Sequence, residues 1–217
     1  MLLGLYNEKK DNRRASPKGT GAVITTSRSV HLTTLDVVND KIPRWTPKTA
    51  RERLNAKQRE LVQDKPPVNL PRAVTVQFGE IVQLIGVDDR KNTAKPGEKV
   101  TWTFFYKALK DAPRWTGMFT HIVGPKPKTS HYHNAVHTPV LGGLPVHEWR
   151  AGEYVTDPHT FAVPKHFPPG DYDVWLGFWD PNLQKPRNRY KPVSATVKPD
   201  PESRVRVGTL KIRSAKP

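Results

Sequence analysis

The sequence predicts an all-β fold, an antiparallel immunoglobulin-like or jelly-roll sandwich of about eight strands, behind an extended basic arm with one helix. Three observations predict it. Proline makes up 22 of 217 residues, roughly twice the usual ~5%, which disfavours a mostly helical chain. From residue 73 onward, short runs of β-branched and aromatic residues alternate with polar ones between turn signals. The first 72 residues show no sustained apolar periodicity.

Composition narrows the chemistry. The chain has 36 Lys+Arg against 20 Asp+Glu, a net charge of +16, which favours anionic partners: nucleic acid, anionic lipid or an acidic protein surface. Residues 1–72 hold 15 Lys+Arg and 7 Asp+Glu, whereas residues 73–217 hold 21 and 13, so the charge is densest in the arm. Without cysteine there is no disulfide framework, thiol nucleophile or thiolate metal site. No apolar run reaches the ~18 residues of a membrane span. Neither GTG (19–21) nor LGGLP (141–145) has the spacing of a nucleotide-binding loop.

The elements follow in chain order. MLLGLY (1–6) is an apolar tip with its charges after it, not before it as in a secretory signal. It predicts a locally docked terminus or an anchoring tip whose basic block meets anionic lipid headgroups. Thr46 as N-cap and Pro47 at the first helical position predict a helix over 47–63, stopped by Pro66 and Pro67. Its stripe of Ala50, Leu54, Leu61 and Val62 is thin, so the helix needs a partner surface. Arg44, Arg51, Arg53, Lys57 and Arg59 are the candidate arm contacts. The arm is 1–72, the sandwich 73–213 and the tail 214–217.

Strand-like runs occupy 73–78, 80–87, 100–106 after the KPGEK turn, 118–124, 153–164, 168–180, 192–197 and 204–213. Alternation predicts a core that includes Val76, Phe78, Trp102, Phe104, Phe119, Ile122, Val174, Leu176 and Phe178.

Candidate sites are few. His131, His133 and His137 form H-x-H-x3-H, with His121 nearby; His131 and His133 share a strand face and suit an imidazole-bound Zn²⁺ or Cu²⁺. With no cysteine, and no carboxylate between Pro125 and Val146, a loop cluster without metal is the favoured reading, and no cofactor is expected. Asp88, Asp89, Asp171, Asp173 and Asp180 read as turn or surface carboxylates rather than an acid/base pair or a Ca²⁺ site. Trp115, Trp149, Trp175 and Trp179 are candidates for a partner or glycan surface. Trp175 and Trp179 lie opposite the Tyr172–Phe178 set, so they point outward or are covered by arm residues such as Leu32, Leu35, Val37 and Val38.

The order LIGVD, KPGEKVTWTFFYKAL, MFTHIVGP, HNAVHTPVLGGLPVHEWRAGEYVTDPHTFAVP, FPPGDYDVWLGFWDP and RVRVGTLKI resembles a known domain type. This is the β-sandwich accessory domain at the extracytoplasmic C-terminal end of some bacterial membrane glycosyltransferases of the dolichol-phosphate-mannose type and of related envelope proteins. The resemblance covers about 73–213 and is most specific from His137 to Asp157. It implies a non-catalytic sandwich outside the cytoplasm, next to a membrane, with His137 in a structural role and no catalytic residue.

The expected function is that of a non-enzymatic accessory subunit of a membrane-associated bacterial assembly, periplasmic or otherwise extracytoplasmic, its arm docked on partner protein subunits. The alternatives are a carbohydrate-binding module for envelope polysaccharide and a basic nucleic-acid-associated protein. The last is disfavoured because no RNA- or DNA-binding motif accompanies the charge.

Overall fold

Side chains that alternate between apolar and polar drive extended strands with one buried face. The computed structural model describes residues 49–125, 131–183, 188–194 and 197–214. Among these the fold is mostly β. Its strands are β1 (Val62–Gln63), β2 (Arg72–Phe78), β3 (Val82–Asp88), β4 (Thr93–Ala94), β5 (Lys99–Ala108) and β6 (Gly117–Val123), followed by β7 (Tyr132–Asn134), β8 (Tyr154–Ala162), β9 (Gly170–Trp179), β10 (Pro192–Val193) and β11 (Val205–Ile212). They form a six-stranded sheet in the order β1-β8-β5-β3-β2-β10 and a five-stranded sheet in the order β4-β11-β9-β6-β7. Every pairing is antiparallel except β4 with β11. The run expected over 192–197 contributes only the two-residue β10.

One apolar core joins the sheets. The six-stranded sheet contributes Val76, Phe78, Leu84, Trp102, Phe104 and Tyr106, and the five-stranded sheet contributes Ile122, Tyr172, Val174, Leu176, Phe178 and Leu210. The rings meet across the gap: Phe78 and Phe178 lie 4.8 Å apart between centroids, and Tyr106 meets Phe178 edge-on at 5.8 Å.

Phe119 is buried, but not in this core. It lies in β6 three residues before Ile122 and therefore on the opposite, outer face. Its ring runs across Gly177 of β9, its cross-strand partner.

The expected helix over 47–63 is broken in two within its described part. A 3-10 turn spans Arg51–Arg53, and a short helix, α1, spans Ala56–Glu60. Leu54 leaves the helical path with ψ 132° and buries its side chain. Asn55 then starts α1 as a capping box: its side chain accepts from Gln58 N at 3.0 Å, and Gln58 accepts from Asn55 N at 3.0 Å. The thin apolar stripe lost to the burial of one leucine plus a strong cap.

The segment also belongs to the sandwich rather than to a separate arm ending at residue 72. The compact unit takes in the described residues from Thr49 onward, Ala50 and Leu54 are buried, and β1 pairs with β8. Residues 64–71 then run from β1 at one edge of the six-stranded sheet to β2 near the other, and Leu70 rests on Gly86 of β3. Their prolines lack the N–H that would add to a ladder, which suits a strap and not a strand. The N-terminal expectations for residues 1–6, Arg44, Thr46 and Leu32–Val38 lie outside the described residues.

Gly177→Ala is expected to lower stability by about 1–3 kcal/mol, because a Cβ there would overlap the Phe119 ring. Urea unfolding measures it. Phe119→Leu in the same chain should recover part of the loss, since the obstructing ring is then gone.

Candidate functional site

The outer face of the five-stranded sheet is an aromatic layer capped by arginines. Gly117 and Gly177 have no side chains, so rings from the neighbouring strand can lie across them: Trp179 over Gly117 and Phe119 over Gly177. The Arg189 guanidinium covers Phe119 at 4.5 Å from the ring centroid, and that of Arg204 covers Trp175 at 5.1 Å. Asp200 holds Arg204 through both carboxylate oxygens in turn-forming contacts, with Arg204 Nη2 at 2.7 Å. Glu202 pairs with Arg189 at 3.3 Å. His121 sits among Phe119, Tyr132 and Arg204, whose Nη1–H donates to His121 Nδ1 over 3.1 Å. Burial, then the charges of Arg204 and Arg189, push the His121 pKa down to about 4, so the ring stays neutral.

This cover comes from the segments leading into β10, with Arg189, and into β11, with Arg204. Trp175 is half-buried beneath it, while Trp179 at 39% and Trp115 at 57% exposure remain open at the end of the face where β6 begins. Arg114 lies over the Trp115 ring at 5.0 Å. Trp149 does not belong to this surface. It is 1% exposed, packs on Tyr106 at 5.3 Å and donates from Nε1 to Leu144 O at 3.3 Å. The burial follows from its position after a 3-10 turn that folds back onto the sandwich.

A second polar cluster lies at the core itself. The inward phase of β8 reads Val155, Asp157, His159, Phe161, so it places a carboxylate and an imidazole on the apolar face. Alternation in the sequence could have flagged both, yet neither was singled out. Asp157 is 0% exposed. Its Oδ2 accepts from His137 Nε2 at 2.7 Å, and its Oδ1 accepts from Val140 N at 3.0 Å. The His137 and His159 rings stack with centroids 3.5 Å apart. Burial first, then His137 and His133, push the His159 pKa down to about 3. Tyr106, pushed upward by burial and by Asp157, faces the same region. Tyr106 Oη, His137 Nδ1 and His159 Nδ1 are buried with no hydrogen-bond partner among the described residues.

The candidate metal histidines each find a different partner, with His133 near the His137–His159 pair. His131 stacks on Tyr172, His133 meets Phe167 edge-on, and His137 is bound to Asp157. Among the described residues no three or more His, Asp or Glu side chains form a group that could hold a metal ion.

The aspartates divide. Asp88 pairs with Arg90, Asp89 with Arg72 and Asp173 with Arg206, all near the surface. Asp180 is buried, contrary to the solvated turn expected of it. Its Oδ1 accepts from Asn182 N at 2.8 Å, and Tyr190 Oη donates to Oδ2 at 3.3 Å. Of the basic contacts, Arg51 is engaged within the domain by Glu153 at 2.8 Å and by the Glu148 carbonyl. Arg53, Lys57 and Arg59 do not share its partial burial and are exposed. The chain matches no known protein family and is not significantly similar to any curated protein.

Stability is expected to fall on acidification below pH 6.5. Unfolded histidine takes its proton near ~6.5, whereas His121 and His159 in the fold take theirs only near 4 and 3. The unfolded state therefore binds protons first, so stability is full above pH 6.5 and declines toward pH 4 with a slope of about one to two protons. Urea midpoints across that range measure it, and His121→Phe should flatten the slope.

Proposed function

We propose that this protein is a non-enzymatic accessory subunit of a membrane-associated bacterial assembly, with its immunoglobulin-like or jelly-roll sandwich outside the cytoplasm. It docks on partner subunits through the open end of the aromatic face. The observation that carries the reading is the contrast along one surface. Phe119, His121 and Trp175 are covered by Arg189 and Arg204, while Trp179 on the same face stays 39% exposed and Trp115, just before β6 and with only its neighbour Arg114 over the ring, stays 57% exposed. Large exposed aromatics are costly to leave in water and are characteristic of contact surfaces. The flanking positive charge suits an acidic partner surface. The resemblance over 73–213 supplies the extracytoplasmic, membrane-adjacent setting.

A second reading has its own support. Trp179 is laid over Gly117, where a Cβ would come within 2.6 Å of its Nε1. A flat indole of this kind also suits stacking on a sugar ring, as in a module that holds envelope polysaccharide.

Trp115→Ala with Trp179→Ala separates the readings. After gentle detergent extraction, the wild-type chain is expected to migrate with fixed partner proteins, and the double variant as a free species of about 25 kDa with an unchanged circular dichroism spectrum. Retention of the complex by the folded double variant removes the docking surface. Loss of retention on purified envelope polysaccharide, with the complex intact, selects the glycan reading.

A further inference from the structure

We propose that His137, Asp157 and His159 form a proton-operated latch that holds the 138–149 loop, and through it the 49–61 segment, against the end of the sandwich and releases both on acidification. This inference is independent of the aromatic docking face.

The loop is held in a conformation it would not adopt alone. Val140 (φ 58°, ψ 53°) and Leu141 (φ 54°, ψ 38°) are consecutive left-handed residues, one of them β-branched. Such residues persist only where their surroundings impose them. The imposing contact is Asp157, which binds the loop through Val140 N and its first residue's neighbour His137 at 3.0 and 2.7 Å. One buried carboxylate thus bonds both the chain just before the strained pair and the N–H of its first residue.

The loop in turn holds the N-terminal segment. Gly143 lies under Leu54 and Gln58, and Gln58 Nε2 donates to Leu141 O at 3.4 Å. Glu148 accepts from Ala50 N and Arg51 N, each at 3.0 Å, and so caps the 3-10 turn of another part of the chain. Opening the loop removes all of these contacts together.

The proton enters at the histidine pair. His159 stacks on the His137 ring and touches Phe104 and Phe161, while Asp157, on the same face of β8, binds His137 and lies near Tyr106 of β5. His133 from β7 lies on the same side, with His166 beyond it. Glu148 farther along the loop, and the Arg51–Glu153 pair beside it, are the other charged groups nearby. Two imidazoles stacked at 3.5 Å cannot both carry charge in an apolar setting without strong repulsion. The folded site holds His159 neutral far below the pH at which an exposed histidine charges. Each pH unit below about 6.5 therefore favours the open loop by up to tenfold for every proton it takes up.

Hydrogen exchange on the full chain between pH 7.5 and 4.5, corrected for intrinsic rates, tests the latch. The 49–61 and 138–149 amides are expected to lose at least about tenfold in protection together between pH 6.5 and 5, while β2 and β9 stay protected. His159→Phe, which keeps the ring but cannot charge, should retain protection at pH 5. Unchanged protection of the two segments down to pH 4.5 overturns the proposal, and so does simultaneous opening of β2 and β9. Equal loss in a folded His159→Phe chain overturns it too. If that variant does not fold, the wild-type pH series alone decides.

Discussion

A carboxylate on an apolar face must be bonded on all sides or it costs several kcal/mol, and Asp157 places one on the core side of β8. Both of its oxygens are satisfied by the same loop, through His137 and Val140. That requirement bends the chain after His137 into two left-handed residues and directs it back over the sandwich. The return buries Trp149 against Tyr106 and presents Glu148 to the backbone N–H groups of Ala50 and Arg51. The end of the sandwich, the path of the loop and the seat of the N-terminal segment therefore follow from one buried acid.

The opposite layer of the molecule rests on a different device. Among the described residues the five-stranded sheet has no second sheet on its outer side, yet β6 and β9 present large rings there. Glycines at 117 and 177 let those rings lie flat instead of standing into water. Arginines anchored by Asp200 and Glu202 then cover them, which keeps positive charge at the surface and apolar area beneath it. The cover by Arg189 and Arg204 stops short of Trp179, so the same construction that stabilises the face leaves an indole at its end open.

Most of the strand pattern was legible because a half-buried strand writes its own period. Val74-Val76-Phe78 and Tyr172-Val174-Leu176-Phe178 alternate strictly, and each set faces the core. The same period carries Asp157 and His159 inward, although polarity alone suggests they are exposed. Phe119 shows the converse: its hydrophobicity marks it as buried, but its position in β6 puts it on the far side of the sheet from Ile122. The helix over 47–63 illustrates how weak propensity is beside packing, since burial of Leu54 outweighs a run of good helix formers.

The sequence by itself determined the all-β class, the positions of the long strands and the inward-facing residues of the core. Those depend on local alternation and on turn residues that act within a few positions. Only the tertiary structure decided that His137 meets Asp157 and not His131 or His133, that Trp149 is core while Trp115 and Trp179 are surface, and that the 49–61 segment belongs to the sandwich. Those outcomes depend on which strands become neighbours and on how residues about a hundred positions apart, such as Ala50 and Glu148, satisfy each other's hydrogen bonds. No local period encodes such pairings.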